Sequence, residues 1–282
     1  MQIGERARRA LARGGGNAEP LAGFAAGPYF AAGGELIWVG ARLPAMHPRA
    51  VITSEAQPAG VALHFEELPA QGWSPQSLRL RRTAAARIVA DIGDLSRTLI
   101  ASDAPRGFGL LLSGGTPAFP LDLAVARVLA LARAYLDDDP DAVLAASIPL
   151  LGFGTGLTPS GDDLAGAALF GRRLLAPARR AWALAAERLA LEAARRSHAL
   201  SAALFDDLVR GQSFAPLHAI VEALAAADRS AALAAARELT AIGHSSGWDM
   251  FTGLFIGVTG RCKEKGPGSG PFSFATGMTT AN

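Results

Sequence analysis

With 282 residues and 29.0 kDa, half of the residues hydrophobic, 18% charged and a mean hydropathy of +0.24, the chain carries enough apolar material for a large core, which excludes global disorder. The formal net charge is only +2; the sequence pI of 9.1 comes from a near-balanced total whose cations are almost all Arg, and no concentrated basic stripe marks a nucleic-acid-binding face. The single cysteine, Cys262, excludes an internal disulfide framework and a cysteine-cluster metal site.

Residues 1–13 hold Glu5, Arg6, Arg8, Arg9 and Arg13 without the apolar run of a secretory leader, and predict a short helix ended by Gly14-Gly15-Gly16. Short apolar stretches at 36–39, 50–53 and 61–65, between Gly and Pro punctuation, predict a small β-rich module over 1–75, with Gly33-Gly34 as a hairpin turn. From about residue 76 to 262 the pattern is helical. Leu78, Ile88, Ile92, Leu95 and Leu99 recur at helical spacing, 108–112 reads as a buried extended segment, and a further helix is expected from about Phe119 to Leu136. The uncharged run 142–161 is about as long as a membrane span, but Pro149, Gly152, Gly154, Gly156 and Pro159 break it, so it reads as a strand plus a loop. Helices then follow at about 159–175, 178–208 (one long helix or two), 215–226, 229–241 and 246–258. Residues 263–282 read as a flexible tail. The fold class expected is α+β: a small β-rich N-terminal module packed on a larger, mainly α-helical domain, in a soluble cytoplasmic protein without a membrane or nucleic-acid partner.

The segment Gly152-Phe153-Gly154-Thr155-Gly156-Leu157-Thr158-Pro159-Ser160-Gly161-Asp162-Asp163 is the most informative. Alternate glycines permit positive φ and close backbone approach. Thr158 reads as an N-cap and Pro159 as the first helical residue. The helix start then offers amide donors and a positive dipole end, an anion site in Gly154, Gly156, Thr158, Ser160 and Gly161. The dinucleotide fingerprint fails at Leu157, and the P-loop fails because Asp162 and Asp163 stand where Lys and a hydroxyl are needed. Two carboxylates repel bare phosphate; they fit better with a divalent cation such as Mg²⁺ held by Asp162 and Asp163, a guanidinium or an amide donor, or they merely complement the dipole.

A second helix start, Gly243-His244-Ser245-Ser246-Gly247-Trp248-Asp249, can be laid over the first, with Ser246 on Ser160, Gly247 on Gly161 and Asp249 on Asp163. If the two converge, Asp163, Asp249, Ser160, Ser246 and His244 line one pocket. Ser197, one helical turn from Ser201, is a further candidate for contact with it, or serves close packing; His198 points elsewhere. His47 and His64 lack an acidic partner at ligand spacing, His218 reads as a core histidine, and 137–139 reads as a solvated helix end.

Thr158-Pro159-Ser160-Gly161-Asp162-Asp163, preceded by Gly152-x-Gly154-x-Gly156-Leu157, resembles the signature of a bacterial family of unassigned function that includes the AllH-type subunit of oxamate carbamoyltransferase of ureide catabolism, other members being called carboxylases. Gly243-His244-Ser245-Ser246-Gly247 and Asp249 are similar to its second polar segment, and the resemblance extends over about 17–260. It implies one subunit of a multi-subunit enzyme, moving a carbamoyl group between oxamate or oxalurate, or a related small amide, and phosphate or carbamoyl phosphate. Our own reading of the residues places Asp162, Asp163, Asp249 and His244 in the chemistry. Gly154, Gly156, Thr158, Ser160, Gly161, Ser197, Ser245, Ser246 and Gly247 then hold the anionic substrate. The alternative is a non-catalytic subunit that binds a ligand and regulates a partner chain.

Overall fold

The structure, a computed structural model, describes residues 1–21, 28–41, 43–55, 57, 60–76 and 80–262. The expectations on Leu78 and on 263–282 lie outside these residues.

The N-terminal part is a six-stranded mixed sheet. Its strands are β1 (Gln2–Ile3), β2 (Asn17–Pro20), β3 (Tyr29–Ala32), β4 (Glu35–Gly40), β5 (Ala50–Ile52) and β6 (Leu63–His64), in the order β1-β5-β4-β3-β2-β6. Among the described strand pairs only β4 and β5 run parallel. The β3–β4 hairpin turns at Gly33-Gly34 as expected and pairs Tyr29 with Trp38 and Phe30 with Ile37. Because side chains alternate along a strand, this register sorts the sheet into two faces. Phe30, Ala32, Ile37 and Val39 pack with Ala7, Ala10 and Leu11 of helix α1 (Glu5–Arg13). Trp38, Tyr29 and Leu36 face the opposite way, into the main helical core. The sheet is thus a middle layer, and the molecule is α+β.

The helical part comprises α2 (Arg82–Ser102), α3 (Val125–Leu136), α4 (Pro140–Ser147), α5 (Ser160–Leu175), α6 (Arg180–Arg196), α7 (Ala199–Val209), α8 (Ala215–Ala225), α9 (Arg229–Thr240) and α10 (Ser246–Thr259). Several expectations are corrected. The run 142–151 is not a strand: Asp139 accepts from the amides of Asp141 and Ala142, Pro140 opens α4, and a 3-10 turn follows at Ile148–Leu150. The segment 108–112 is a 3-10 helix, Gly107–Ser113, curled over Trp248. A Cβ on Gly109 would lie 2.7 Å from that indole. The helix expected from Phe119 begins as a 3-10 turn at Leu121–Ala124 before α3. The stretch 178–208 is two helices, broken where Ser197 and His198 turn extended, so Ser197 and Ser201 do not share one helix. No helix of the described residues is long and apolar enough to cross a membrane.

The sheet is fixed to the helices by a buried ion cluster. Arg49, 2% exposed, donates to both carboxylate oxygens of the fully buried Asp207 on α7 and, at 3.1 Å, to Glu35. Arg6 of α1 reaches Asp207 and Glu35 as well. Trp38 lies beneath, edge-on to His47 (4.9 Å) and beside Phe214 (5.6 Å). Burial, with the cations Arg49 and Arg6 and the imidazole of His218 nearby, holds His47 well below the usual histidine range, so it serves as a neutral wedge.

Helices α5 and α10 are the centre of the body. They run parallel, with their N-termini side by side, and they touch backbone to backbone. A Cβ on Gly253 would lie 2.2 Å from the carbonyl oxygen of Leu164, and one on Gly257 would lie 1.9 Å from that of Ala168. No side chain fits between two backbones at that separation. Gly257→Ala is therefore expected to destabilise the fold by about 3 kcal/mol. Urea unfolding with an unchanged m-value checks this, and a loss below about 1 kcal/mol would contradict the packing.

Candidate functional site

The parallel α5–α10 contact brings the two polar helix starts together. Thr158 Oγ1 lies 3.0 Å from Ser246 Oγ, and Ser160 Oγ lies 3.4 Å from Ser245 Oγ. The two starts are built alike. Gly161 is pressed on the carbonyl of Leu150 and Gly247 on that of Leu239, where a Cβ would lie 2.0 and 1.8 Å from the oxygen. Thr158 is not the N-cap of α5: Pro159 occupies that position, and the Thr158 hydroxyl is turned across to Ser246 instead.

Three buried carboxyl groups stand at this junction, in three different states. Asp162 is saturated. It accepts from the amide of Gly152 at 2.8 Å and from Ser201 Oγ at 2.6 Å. It ties the glycine loop to α7. Asp249 accepts from the amide of Phe108 at 2.7 Å through one oxygen, while its other oxygen is buried without a partner. Burial pushes its carboxyl up to about 7, opposed by the Phe108 amide and the hydroxyls of Ser160 and Ser245. Asp163, 5% exposed, also keeps one oxygen unpartnered. Burial, then the neighbouring Asp249 and Asp162, raise its carboxyl well above the usual range, against the hydroxyl of Ser246.

Asp163 also lines a cavity. This cavity, of about 160 Å³, lies between the helix starts and the N-terminal sheet, lined by Asp163, Thr158, Ser246 and Gly243 together with Trp38, Tyr29, Phe214 and Met250 among others. Asp163 is the one charged side chain among its described lining residues.

The amides expected to hold an anion are largely used within the protein. Gly161 N–H donates to the carbonyl of Phe153, Asp162 and Asp163 N–H to that of Pro159, and Gly247 N–H to that of Ile242. In the glycine loop, Gly154 (φ 126°) allows contact with the Ser160 amide, where a Cβ would lie 2.7 Å away, whereas Gly156 faces open space. Ser197 lies behind this loop, near Gly152, its hydroxyl buried and unpartnered. His244 is exposed, and its backbone carbonyl accepts from Arg106 at 3.2 Å. Among the described residues no three His, Cys, Asp or Glu side chains are placed to hold a metal ion, and both oxygens of Asp162, one of the two residues expected to hold Mg²⁺, already accept hydrogen bonds. Sequence reasoning missed the Phe108 amide and the aromatic wall of Trp38, Tyr29 and Phe214, which long-range packing alone brings to the site.

The raised carboxyl of Asp249 makes stability depend on pH. Between its ordinary value of 3.8 and about 7 the folded protein retains a proton that the unfolded chain has released, so stability falls as pH rises through that window. Asp249→Asn keeps the acceptor for Phe108 but cannot ionise. From pH 4 to pH 8 the wild type is expected to lose about 3–4 kcal/mol relative to this variant. Parallel stability curves from urea titrations would refute the shift.

Comparison with family models matches residues 150–258 to the oxamate carbamoyltransferase subunit AllH. No curated protein and no solved structure matches the chain. The matched stretch holds the glycine loop, the three carboxyl groups and both polar helix starts, and it is similar to the AllH family.

Proposed function

We propose that the chain is a subunit of a carbamoyltransferase and that the cavity beside Asp163 seats the amide whose nitrogen gives or takes the carbamoyl group. The observation that carries this reading is a carboxyl group 5% exposed, with one unpartnered oxygen, lining a small cavity within the family-matched helix starts. Forming a bond from a primary amide nitrogen to a carbamoyl carbon requires an N–H proton to leave as phosphate departs. In the reverse direction phosphate attacks the carbamoyl carbon and the proton returns to the amide. A buried carboxyl raised above the usual range is a stronger base than an ordinary carboxylate, as that transfer requires. Asp163 accepts the N–H in the ground state and the proton as the bond forms. Asp249, with the second unpartnered oxygen, adjusts Asp163 electrostatically from behind. Asp162 and Ser201 keep the glycine loop in place.

This assigns oxamate, oxalurate or a related small amide to the cavity, with phosphate or carbamoyl phosphate approaching at its mouth. The test is phosphate-dependent breakdown of oxalurate by the assembled enzyme. Asp163→Asn is expected to lower kcat about 100-fold with the melting temperature retained. Full activity in that variant would remove Asp163 from the mechanism. Ligand-induced melting shifts without turnover by any assembly containing this chain would favour a binding subunit instead.

A further inference from the structure

Among the described residues, four hydroxyl groups stand at the seam between the two helix starts, and they form two pairs. Ser160 and Ser245, 3.4 Å apart, both pull on the carboxyl of Asp249. Thr158 and Ser246, 3.0 Å apart, line the cavity with Asp163, and the Ser246 hydroxyl is a donor to that carboxyl. Pro159 holds the N-cap position of α5, so the Thr158 hydroxyl is left to turn across to the other helix start. Exposure rises along this second row. Asp163 is 5% exposed, Ser246 and Thr158 are half-buried, and Thr158 follows directly on the exposed Gly156 and Leu157 of the glycine loop. The row therefore runs from the buried carboxyl toward solvent. A hydroxyl both donates and accepts, and in the Thr158–Ser246 bond either oxygen can be the donor, so the row can pass a proton in either direction.

We infer that Thr158 and Ser246 are a hydroxyl relay that carries the transferred proton between Asp163 and the phosphate at the cavity mouth, with Thr158 the residue that touches phosphate. The inference rests on the reading of Asp163 as the group that exchanges a proton with the amide, and it supplies the other half of that exchange. Carbamoyl transfer moves one proton between the amide nitrogen and a phosphate oxygen, and Asp163 at the buried end meets the nitrogen. In the direction that consumes phosphate, a phosphate oxygen attacks the carbamoyl carbon and gives its proton to Thr158 Oγ1. Thr158 passes its own to Ser246 Oγ, and Ser246 passes its own to Asp163. Asp163 gives the last to the amide nitrogen, which leaves as the C–N bond breaks. A C–O bond replaces a C–N bond, one proton moves from phosphate to nitrogen, and each protein group ends with the protons it began with. The reverse reaction runs the row the other way. General acid–base transfer of this kind requires groups already within hydrogen-bond reach of one another, which the 3.0 Å contact across the helix starts provides.

The test is the phosphate-dependent breakdown of oxalurate by the assembled enzyme, read as the single-turnover rate at saturating oxalurate and phosphate and as its dependence on the fraction of heavy water. The wild type is expected to give a curved dependence, because several protons move together. Thr158→Val and Ser246→Ala are each expected to lower the rate about 100-fold with the melting temperature retained, and Thr158→Ser, which keeps the hydroxyl, to restore it to within about 5-fold of the wild type. A pair that only staples the helix starts would instead lower the melting temperature and leave the heavy-water curve unchanged in the variants. Full activity in folded Thr158→Val or Ser246→Ala overturns the relay, and if Asp163→Asn is still impaired the reading of Asp163 stands. A straight heavy-water dependence in the wild type, or a loss in Thr158→Val that more phosphate restores, also overturns the relay. Full activity in Asp163→Asn, or no breakdown of oxalurate by the wild-type assembly, removes both.

Discussion

Backbone contact between two parallel helices organises this molecule. Neighbouring helices usually cross with side chains interposed. Here Gly253 and Gly257 of α10 rest on the carbonyls of Leu164 and Ala168 of α5, so the helices run close together and in the same direction. Two macrodipoles aligned in this way repel, and both positive ends emerge at one place. The arrangement persists because large side chains such as Phe251, Leu254, Phe170 and Leu208 bury around it, and carboxyl groups stand at the shared end. Asp163 and Asp249 are those groups. The helix contact and the carboxyl pair are therefore one device: the first creates the positive corner that the second occupies.

That corner is not fully relaxed. A buried carboxyl is ordinarily satisfied by donors or by a cation. Asp162 follows the rule through Gly152 and Ser201, and Asp207 follows it through Arg49 and Arg6. Asp163 and Asp249 do not, each retaining one unpartnered oxygen. The contrast within one protein separates structural acids from candidate functional ones. Both kinds are equally buried, and only the second kind has bonding capacity left for something the protein does not itself supply.

Much of this was legible in the residues. The likeness of Ser160-Gly161 and Asp163 to Ser246-Gly247 and Asp249 pointed to two similar helix starts, and the structure places them in contact. The hairpin at Gly33-Gly34 followed from turn chemistry. Failures arose where long-range packing overrode the local pattern. The uncharged run after Ala142 matched a buried strand as well as a helix, and the decision fell to a capping residue, Asp139, just outside it. The curl at Gly107–Ser113 exists to cover Trp248, more than a hundred residues away. Asp162 and Asp163 looked equivalent in sequence; successive helix positions point about 100° apart, so one turns inward to Ser201 and the other toward the cavity.

The same geometry explains why the cavity belongs to both parts of the chain. The helix starts could form their polar junction without the sheet, but Asp163 would then open to solvent and lose the burial that raises its carboxyl. It is Trp38 and Tyr29, on the sheet face opposite α1, that close the space and keep it apolar. The sheet can hold them there only because the Arg49–Asp207 pair anchors it to α7, the helix whose Ser201 also secures Asp162 and the glycine loop. Loop, carboxyls and aromatic wall are thereby referred to one helix, so the polar and apolar sides of the cavity keep a fixed separation.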